Sequence, residues 1–241
     1  MLSLVVSDLH LSARRPETAA LFVDFLAGAA RDAQVLYILG DLFDYWLGDD
    51  DLADPFIRPI CAAMASLAAS GTATYFLPGN RDFLIGTDFA AATGLTLLRD
   101  CSVHGIAGRP TLLLHGDTLC TDDHAYLAFR NMVRSEQWQH DFLALPLSER
   151  RAQIEVLRQR SETAKAGKTD ELMDVNADTV AATFRTDGVD RMIHGHTHRQ
   201  ACHDLRIDNR ACQRWVLGDW RATGNALACE DDHWHWLTIA P

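Results

Sequence analysis

Residues 35–44 read VLYILGDLFD: an apolar run that halts at Gly40 and then delivers Asp41 and Asp44. A short apolar run closed by a turn residue reads as a strand buried on both faces. The same grammar returns along the chain. Residues 2–6 (LSLVV) end at Ser7-Asp8-Leu9-His10, and residues 72–77 (TATYFL) at Pro78-Gly79-Asn80-Arg81-Asp82. Residues 112–114 end at His115-Gly116-Asp117, and Met192-Ile193 at His194-Gly195-His196-Thr197-His198. Between them, residues 16–30 carry Leu21, Phe22, Phe25 and Leu26 at helical spacing, and residues 56–69 keep a helical period. Residues 215–217 and 234–239 add strands in the tail. Strands separated by helices predict an α/β domain with much parallel pairing.

In α/β sheets, sites form outside the carboxyl ends of the strands. The first five strand ends above carry Asp, Asn or His, so side chains from five distant segments should meet on one rim. Glycine beside the polar residue allows the sharp turn that such a crowded edge needs. Carboxylate, amide oxygen and imidazole form a hard-to-borderline donor set suited to Mn²⁺, Fe²⁺ or Zn²⁺. Asp8, His10, Asp41, Asn80, His115, His196 and His198 are too many for one ion. They fit two divalent ions roughly 3.5–4 Å apart, with Asp41 as the bridge. Such a pair brings the pKa of water toward neutrality and clamps a phosphoryl oxygen for in-line attack. Any one of these residues alone reads as a turn histidine or a helix cap; the five ordered groups together do not. Asp44, Asp82 and Asp117 read either as caps or as residues that orient the ligands.

The whole chain, residues 1–241, reads as one domain. Residues 124–178 lack a strand signal, and Tyr126, Phe129, Val133, Phe142, Leu143, Ile154 and Leu157 recur there at helical spacings among dense charge. This predicts a helical insertion lying over the strand ends as a lid.

Composition narrows the class. A net charge of −11 over 241 residues excludes a global basic footprint for nucleic acid. No apolar run reaches the ~18 residues of a spanning helix, and MLSLVVSDLH does not read as a signal peptide. Six scattered cysteines without a CxxC pair fit a reduced, cytoplasmic compartment. No obligate protein partner is indicated.

The ordered blocks D-x-H, G-D-x-x-D, G-N-R-D, H-G-D and G-H-x-H resemble the calcineurin-like metallophosphoesterases. The resemblance implies two stacked mixed β-sheets flanked by helices, with Asp8, His10, Asp41 and His198 on one metal and Asp41, Asn80, His115 and His196 on the other. Most of that superfamily has His after the Asn of the third block; here it is Arg81. The runs Gly79-Asn80-Arg81-Asp82-Phe83-Leu84-Ile85-Gly86, Gly40 to Asp50 (GDLFDYWLGDD), His115 to Asp123 (HGDTLCTDD), Met173-Asp174-Val175-Asn176 and Val216-Leu217-Gly218-Asp219-Trp220 are similar to the UDP-2,3-diacylglucosamine diphosphatase family of lipid A biosynthesis. What this implies is pyrophosphate hydrolysis to UMP and 2,3-diacylglucosamine 1-phosphate, two Mn²⁺ ions, and substrate contacts from Asn80, Arg81, Asp123, Ser161, Lys165, Lys168 and His196. Asn80, Arg81 and His196 would stabilise developing oxyanion charge.

The residues themselves bear on the substrate. Only two of the 22 basic side chains are lysines, Lys165 and Lys168, and they share a stretch with Arg150, Arg151, Arg158 and Arg160. This reads as a local basic patch for a phosphate-rich headgroup, or as a solvated face paired with Glu149, Glu155 and Glu162. Trp46-Leu47, Phe83-Leu84-Ile85 and Phe129, Met132, Val133, Trp138, Phe142 and Leu143 would line a tunnel for fatty chains or pack as core. An apolar rim with basic residues predicts peripheral docking on the cytoplasmic face of the inner membrane. Asp49-Asp50-Asp51 with Asp54 reads as an acidic turn rather than a cation site. In His233-Trp234-His235-Trp236, alternation puts the histidines on one strand face and the tryptophans on the other. Two rival readings remain: a phosphoesterase acting on a soluble UDP-sugar or dinucleotide polyphosphate, and a non-catalytic scaffold on the same fold.

Overall fold

The computed structural model describes residues 1–166 and 174–241, except for the side chains of 160–166. Ser161, Lys165 and Lys168 as substrate contacts, together with Arg160, Glu162 and Met173, lie outside the described residues.

Two mixed sheets stack face to face. The first has the order β11-β10-β1-β2-β3-β4. Its centre is β1 (Ser3–Val6), β2 (Val35–Ile38) and β3 (Ala73–Phe76), which run parallel, with short β4 (Thr96–Leu97) at one edge. Antiparallel β10 (Gly224–Glu230) and β11 (His233–Ile239) complete the other edge. The second sheet has the order β5-β6-β7-β9-β8. It comprises β5 (Cys101–Ile106), β6 (Arg109–Leu114), β7 (Arg191–His194), β8 (Ala201–Ile207) and β9 (Arg210–Val216), with β6, β7 and β9 parallel.

Alternation along β1 explains the layering. Leu4 and Val6 face α1 (Pro16–Ala27) and α2 (Ile57–Ala69) in one core, with Leu36, Ile38 and Phe76. Val5 faces the second sheet, where Tyr37, Leu77, Leu113, Ile193 and Trp215 fill the space between the layers. A strand buried on both faces has no polar face to show, which is why VLYIL and LSLVV read as continuous apolar runs. On the outer face of the second sheet, Val180 and Phe184 of α7 (Ala177–Asp187) pack on Leu112, Leu114 and Met192. The order is helix, sheet, sheet, helix. Trp234 and Trp236 turn inward to Trp215, at ring separations of 5.6 and 5.5 Å, and His233 and His235 face out.

Among the described residues, three α-helices stand between β6 and α7: α4 (His124–Val133), α5 (Glu136–Leu143) and α6 (Leu147–Ala166). Arg134 Nη2 donates to the Gly79 carbonyl at 2.8 Å, holding α4 to the rim of the first sheet. Arg150 corrects the basic-patch reading. It is 2% exposed, and its guanidinium donates to the carbonyls of Leu47 and Leu145 and to the Asp50 carboxylate. Arg151 pairs with Asp51 at 3.0 Å. Both arginines fasten α6 to the acidic turn at 49–51, and buried Arg150 faces protein and not a headgroup, while the Arg151 side chain stays more than half exposed. Asp49 is spent as well: it accepts the Gly86, Asp88 and Phe89 amides at the start of α3 (Thr87–Thr93) and the Trp46 indole.

Candidate dinuclear metal centre

The five strand ends converge. His10 Nε2 and His198 Nε2 lie 3.3 Å apart, and His198 Nε2 is 3.2 Å from Asp8 Oδ1. Asp41 Oδ2 is 3.7 Å from His10 Nδ1, while Asp41 Oδ1 is 3.7 Å from His115 Nε2. One carboxylate thus reaches toward both halves of the cluster. Asn80 Oδ1 lies 2.8 Å from His115 Nε2 and 3.0 Å from His196 Nδ1. All seven candidate ligands are therefore brought together. Asp8, His10 and His198, and likewise Asp8, Asp41 and His115, offer ligand atoms within 4.8 Å of one another.

The backbone at this rim is unusual. Asp8, His10, Asp41, His196 and His198 all have φ between 49° and 66°. The left-handed region is strained for residues with a Cβ, though Asp and His tolerate it better than most. Its concentration at five of seven candidate ligands marks strain held in place by the surrounding fold. No sequence pattern announces it. The glycines also act differently from the turn argument at two places. A Cβ on Gly79 would meet Asp41 Oδ1 at 2.2 Å, and one on Gly195 would meet Asp8 Oδ2 at 2.1 Å. Glycine there makes room for the carboxylates.

The electrostatics call for a cation. Asp8 is fully buried, yet the His198 hydrogen bond and the fields of His115, His198 and His10 overcome that burial and hold its pKa well below the ordinary range. Burial, with the Asp8 charge adding to it, pushes the Asp41 pKa up. His115 is buried too, but Asp41, Asp8 and Asp117 draw a proton onto it and raise its pKa to about 9. Burial lowers the pKa of His10 well below its usual value and that of His196 to about 3, which leaves their nitrogen lone pairs available. Buried His10 Nδ1 has no hydrogen-bond partner. Two buried carboxylates that recruit positive charge, an orphaned imidazole nitrogen and two ring nitrogens at 3.3 Å fit divalent ions bound among them.

The supporting residues sort clearly. Asp82 accepts four backbone amides, from Asp41, Leu42, Phe43 and Gly79. Asp117 accepts the Tyr126 hydroxyl at 2.5 Å and Arg130 Nε at 2.7 Å, tying α4 to the His115 turn. Asp44 holds Arg81 at 3.4 Å and Arg158 at 3.6 Å. Asp123 caps α4 through the Tyr126 amide at 3.1 Å. Sequence reasoning read Tyr126 only as an apolar helical position and passed over Arg130 and Arg134. Their helical spacing on α4 (126, 130, 134) was the available signal. It also passed over Arg15, whose Nη2 donates to the His10 carbonyl at 2.5 Å.

Arg81 lies over the Tyr45 ring, 5.0 Å from its centroid, with Nε 3.7 Å from Asp41. Beside it opens a mainly apolar cavity of about 320 Å³, framed by Trp46, Phe83, Phe129, Trp138 and Leu157. Leu47, Ile85 and Phe142 of the expected tunnel do not line this cavity and are buried instead. Met132 faces an outer groove with Val156, and Leu143 is exposed.

A rim of Asp, Asn and His over two stacked mixed sheets defines a metallophosphoesterase, and the chain belongs to the calcineurin-like phosphoesterase family, whose sequence model matches residues 1–200. It is a hydrolase. Among its relatives, the UDP-2,3-diacylglucosamine hydrolase of Aromatoleum aromaticum is 51% identical over 220 residues, spanning 91% of this chain and 89% of that protein. The enzyme of the same name from Chromohalobacter salexigens is 46% identical over 233 residues, covering 96% and 94% of the two chains. That from Edwardsiella ictaluri is 44% identical over 240 residues, covering 99% and 92%.

Proposed function

We propose that this protein hydrolyses the pyrophosphate bond of UDP-2,3-diacylglucosamine, giving UMP and 2,3-diacylglucosamine 1-phosphate for lipid A biosynthesis. The observation that carries the reading is the apolar cavity that meets the ligand cluster at Asn80, with Arg81 on its wall. A soluble UDP-sugar has no use for that wall, whereas each acyl CH₂ buried on it contributes ~0.8 kcal/mol.

Asp8, His10, Asp41 and His198 would hold one divalent ion, and Asp41, Asn80, His115 and His196 the other, with Mn²⁺ the metal proposed. When bound, such a pair supplies an acidified water and neutralises phosphoryl charge. The protein's own residues do the rest. Arg81 offers paired planar donors to a phosphoryl oxygen, and its cation–π seat on Tyr45 and its contacts with Asp41 and Asp44 fix its direction. Asn80 and His196 stand at the same edge to stabilise oxyanion charge. The lipid phosphate is a good leaving group, so Arg81 can stand where the wider metallophosphoesterase pattern has a histidine. The helices over the cavity shelter the apolar chains. Among the described residues no helix is long and apolar enough to cross a membrane. Exposed Phe129, Met132 and Val156 on the lid support peripheral docking on the cytoplasmic face of the inner membrane.

The test is incubation with UDP-2,3-diacylglucosamine and Mn²⁺, with and without chelator, beside UDP-N-acetylglucosamine. UMP release from the acylated substrate alone, abolished by chelator, is the expected result. Equal turnover of the unacylated sugar would replace this reading with a general nucleotide phosphoesterase.

A further inference from the structure

A second cavity, of about 580 Å³, borders the ligand cluster on its His10 and His198 side, whereas the apolar cavity meets it at Asn80. The two walls differ in chemistry. Arg15, Arg81, Arg158 and Arg221 face the second cavity, with Glu17, Asp44 and Asp219 among them. Arg81 lines both. Arg15 is bonded to carbonyls only, those of His10 and Trp220, and makes no direct ion pair among the described residues. Arg221 spends Nε on Asp219 at 2.7 Å and is otherwise turned to solvent, its side chain 78% exposed.

We propose that this cavity receives the nucleoside monophosphate half of the substrate, the UMP moiety. The inference rests on the substrate proposed above. That substrate has an acylated sugar and a nucleotide joined by a pyrophosphate, and the chain offers two unlike cavities joined at Arg81. The apolar cavity would strand the hydroxyls and amides of a nucleotide without partners. The arginine-lined cavity would strip water from its cations if it took an acyl chain. Guanidinium groups match phosphate oxygens with paired donors. Glu17 and Asp219 supply acceptors for the ribose hydroxyls, since ionised carboxylates only accept. With the nucleotide here and the acyl chains under the lid, the pyrophosphate lies across the ligand cluster.

The experiment is calorimetric titration of UMP into metal-loaded protein, with metal content checked in each variant. Arg221→Glu and Arg15→Gln should weaken the UMP Kd by about tenfold or more; the glutamine keeps a donor for the His10 carbonyl. Trp138→Ala, in the apolar cavity, should leave the UMP Kd unchanged and raise KM for the acylated substrate. Unchanged UMP binding in both arginine variants, or weakened UMP binding in Trp138→Ala, would overturn the assignment. Hydrolysis of UDP-2,3-diacylglucosamine by the wild type separates the two claims. Hydrolysis with arginine-insensitive UMP binding removes the nucleotide cavity alone. Arginine-dependent UMP binding without hydrolysis removes the lipid substrate and leaves the cavity standing.

Discussion

The Asp82 carboxylate accepts the Asp41 backbone amide at 3.2 Å across 41 residues of sequence. Its two oxygens divide the work: Oδ1 takes the Asp41 and Gly79 amides, and Oδ2 takes those of Leu42 and Phe43. The loop that presents the bridging candidate is thus held open by a side chain from the next strand end. Burial and the nearby Asp41 charge push the Asp82 pKa up to about 7 in spite of these bonds.

Asp82→Asn should therefore disturb the loop whichever way the amide turns. One oxygen becomes NH₂ and faces two N–H groups, leaving buried donors unmet at a cost of about 1–3 kcal/mol. Residues that orient metal ligands typically contribute ~10–100-fold to activity or metal affinity. A lowered Tm together with a kcat reduced to that extent is expected, from thermal unfolding and steady-state assay. A variant matching wild type in both would show that the four amides need no carboxylate.

Asp41→Ala and His115→Ala probe the ligands directly. Asp41 approaches both halves of the cluster, and the His115 ring meets Asn80 directly at 2.8 Å. Both should abolish UMP release while circular dichroism stays native. Asp41→Ala should lose more bound metal by elemental analysis than His115→Ala. Near wild-type turnover in either variant under metal-replete conditions would end the dinuclear mechanism.

Much of this was legible before any coordinates. A parallel strand buried on both faces writes a continuous apolar run, so residues 2–6 and 35–39 declare themselves, and the polar group that stops each run declares the site. What stayed hidden has physical reasons. The edge strand β5 alternates exposed with merely half-buried residues until Ile106, and its one branched apolar residue before that, Val103, sits on the exposed side. Arg150 carries the same charge in a basic patch as in a buried clamp, and only Asp50 and the carbonyls around it decide which it is. The positive φ at Asp8 or His198 is imposed by tertiary packing and leaves no trace in residue order.

His115 gives the pH dependence. In the metal-free chain its pKa is raised from 6.5 to about 9 by the surrounding carboxylates. A raised imidazole pKa stabilises the fold fully below its unfolded value, and that contribution is lost as pH rises through about 9. A bound ion replaces the same proton, so loading releases it and metal affinity should fall as pH drops below 9. Calorimetry of Mn²⁺ binding in buffers of different ionisation enthalpy measures the released proton, and His115→Gln should remove it. No buffer dependence between pH 7 and 8 would contradict the charge argument.

Chelation should act on stability as well as rate. Ions that bind the folded chain at one hundred times their Kd contribute about 2.7 kcal/mol, which for a chain of this size corresponds to a Tm shift of roughly 5 °C or more. Differential scanning calorimetry should show that loss on chelation and its recovery when Mn²⁺ is returned. An unchanged Tm would place the ions, if bound at all, outside the folded core.

The last prediction concerns the clamp between Arg150 and Asp50. Arg150 sits near the N-terminal end of α6 and bonds Leu47 O, Leu145 O and Asp50, so it joins the helix carrying Ile154 and Leu157 to the loop carrying Trp46. Those residues belong to the apolar cavity, whose shape follows from where α6 lies. Arg150→Met keeps the buried stem but cannot donate, leaving two carbonyls and a carboxylate to water. Because Asp50 is half exposed, the loss is smaller than for a fully buried pair, about 1–3 kcal/mol. The effect should show as a several-fold rise in KM for the acylated substrate, with a smaller weakening of UMP binding, because α6 also carries Arg158 on the nucleotide cavity. A raised Kd for UMP with an unaltered KM for the lipid would mean that α6 positions the arginine-lined cavity instead.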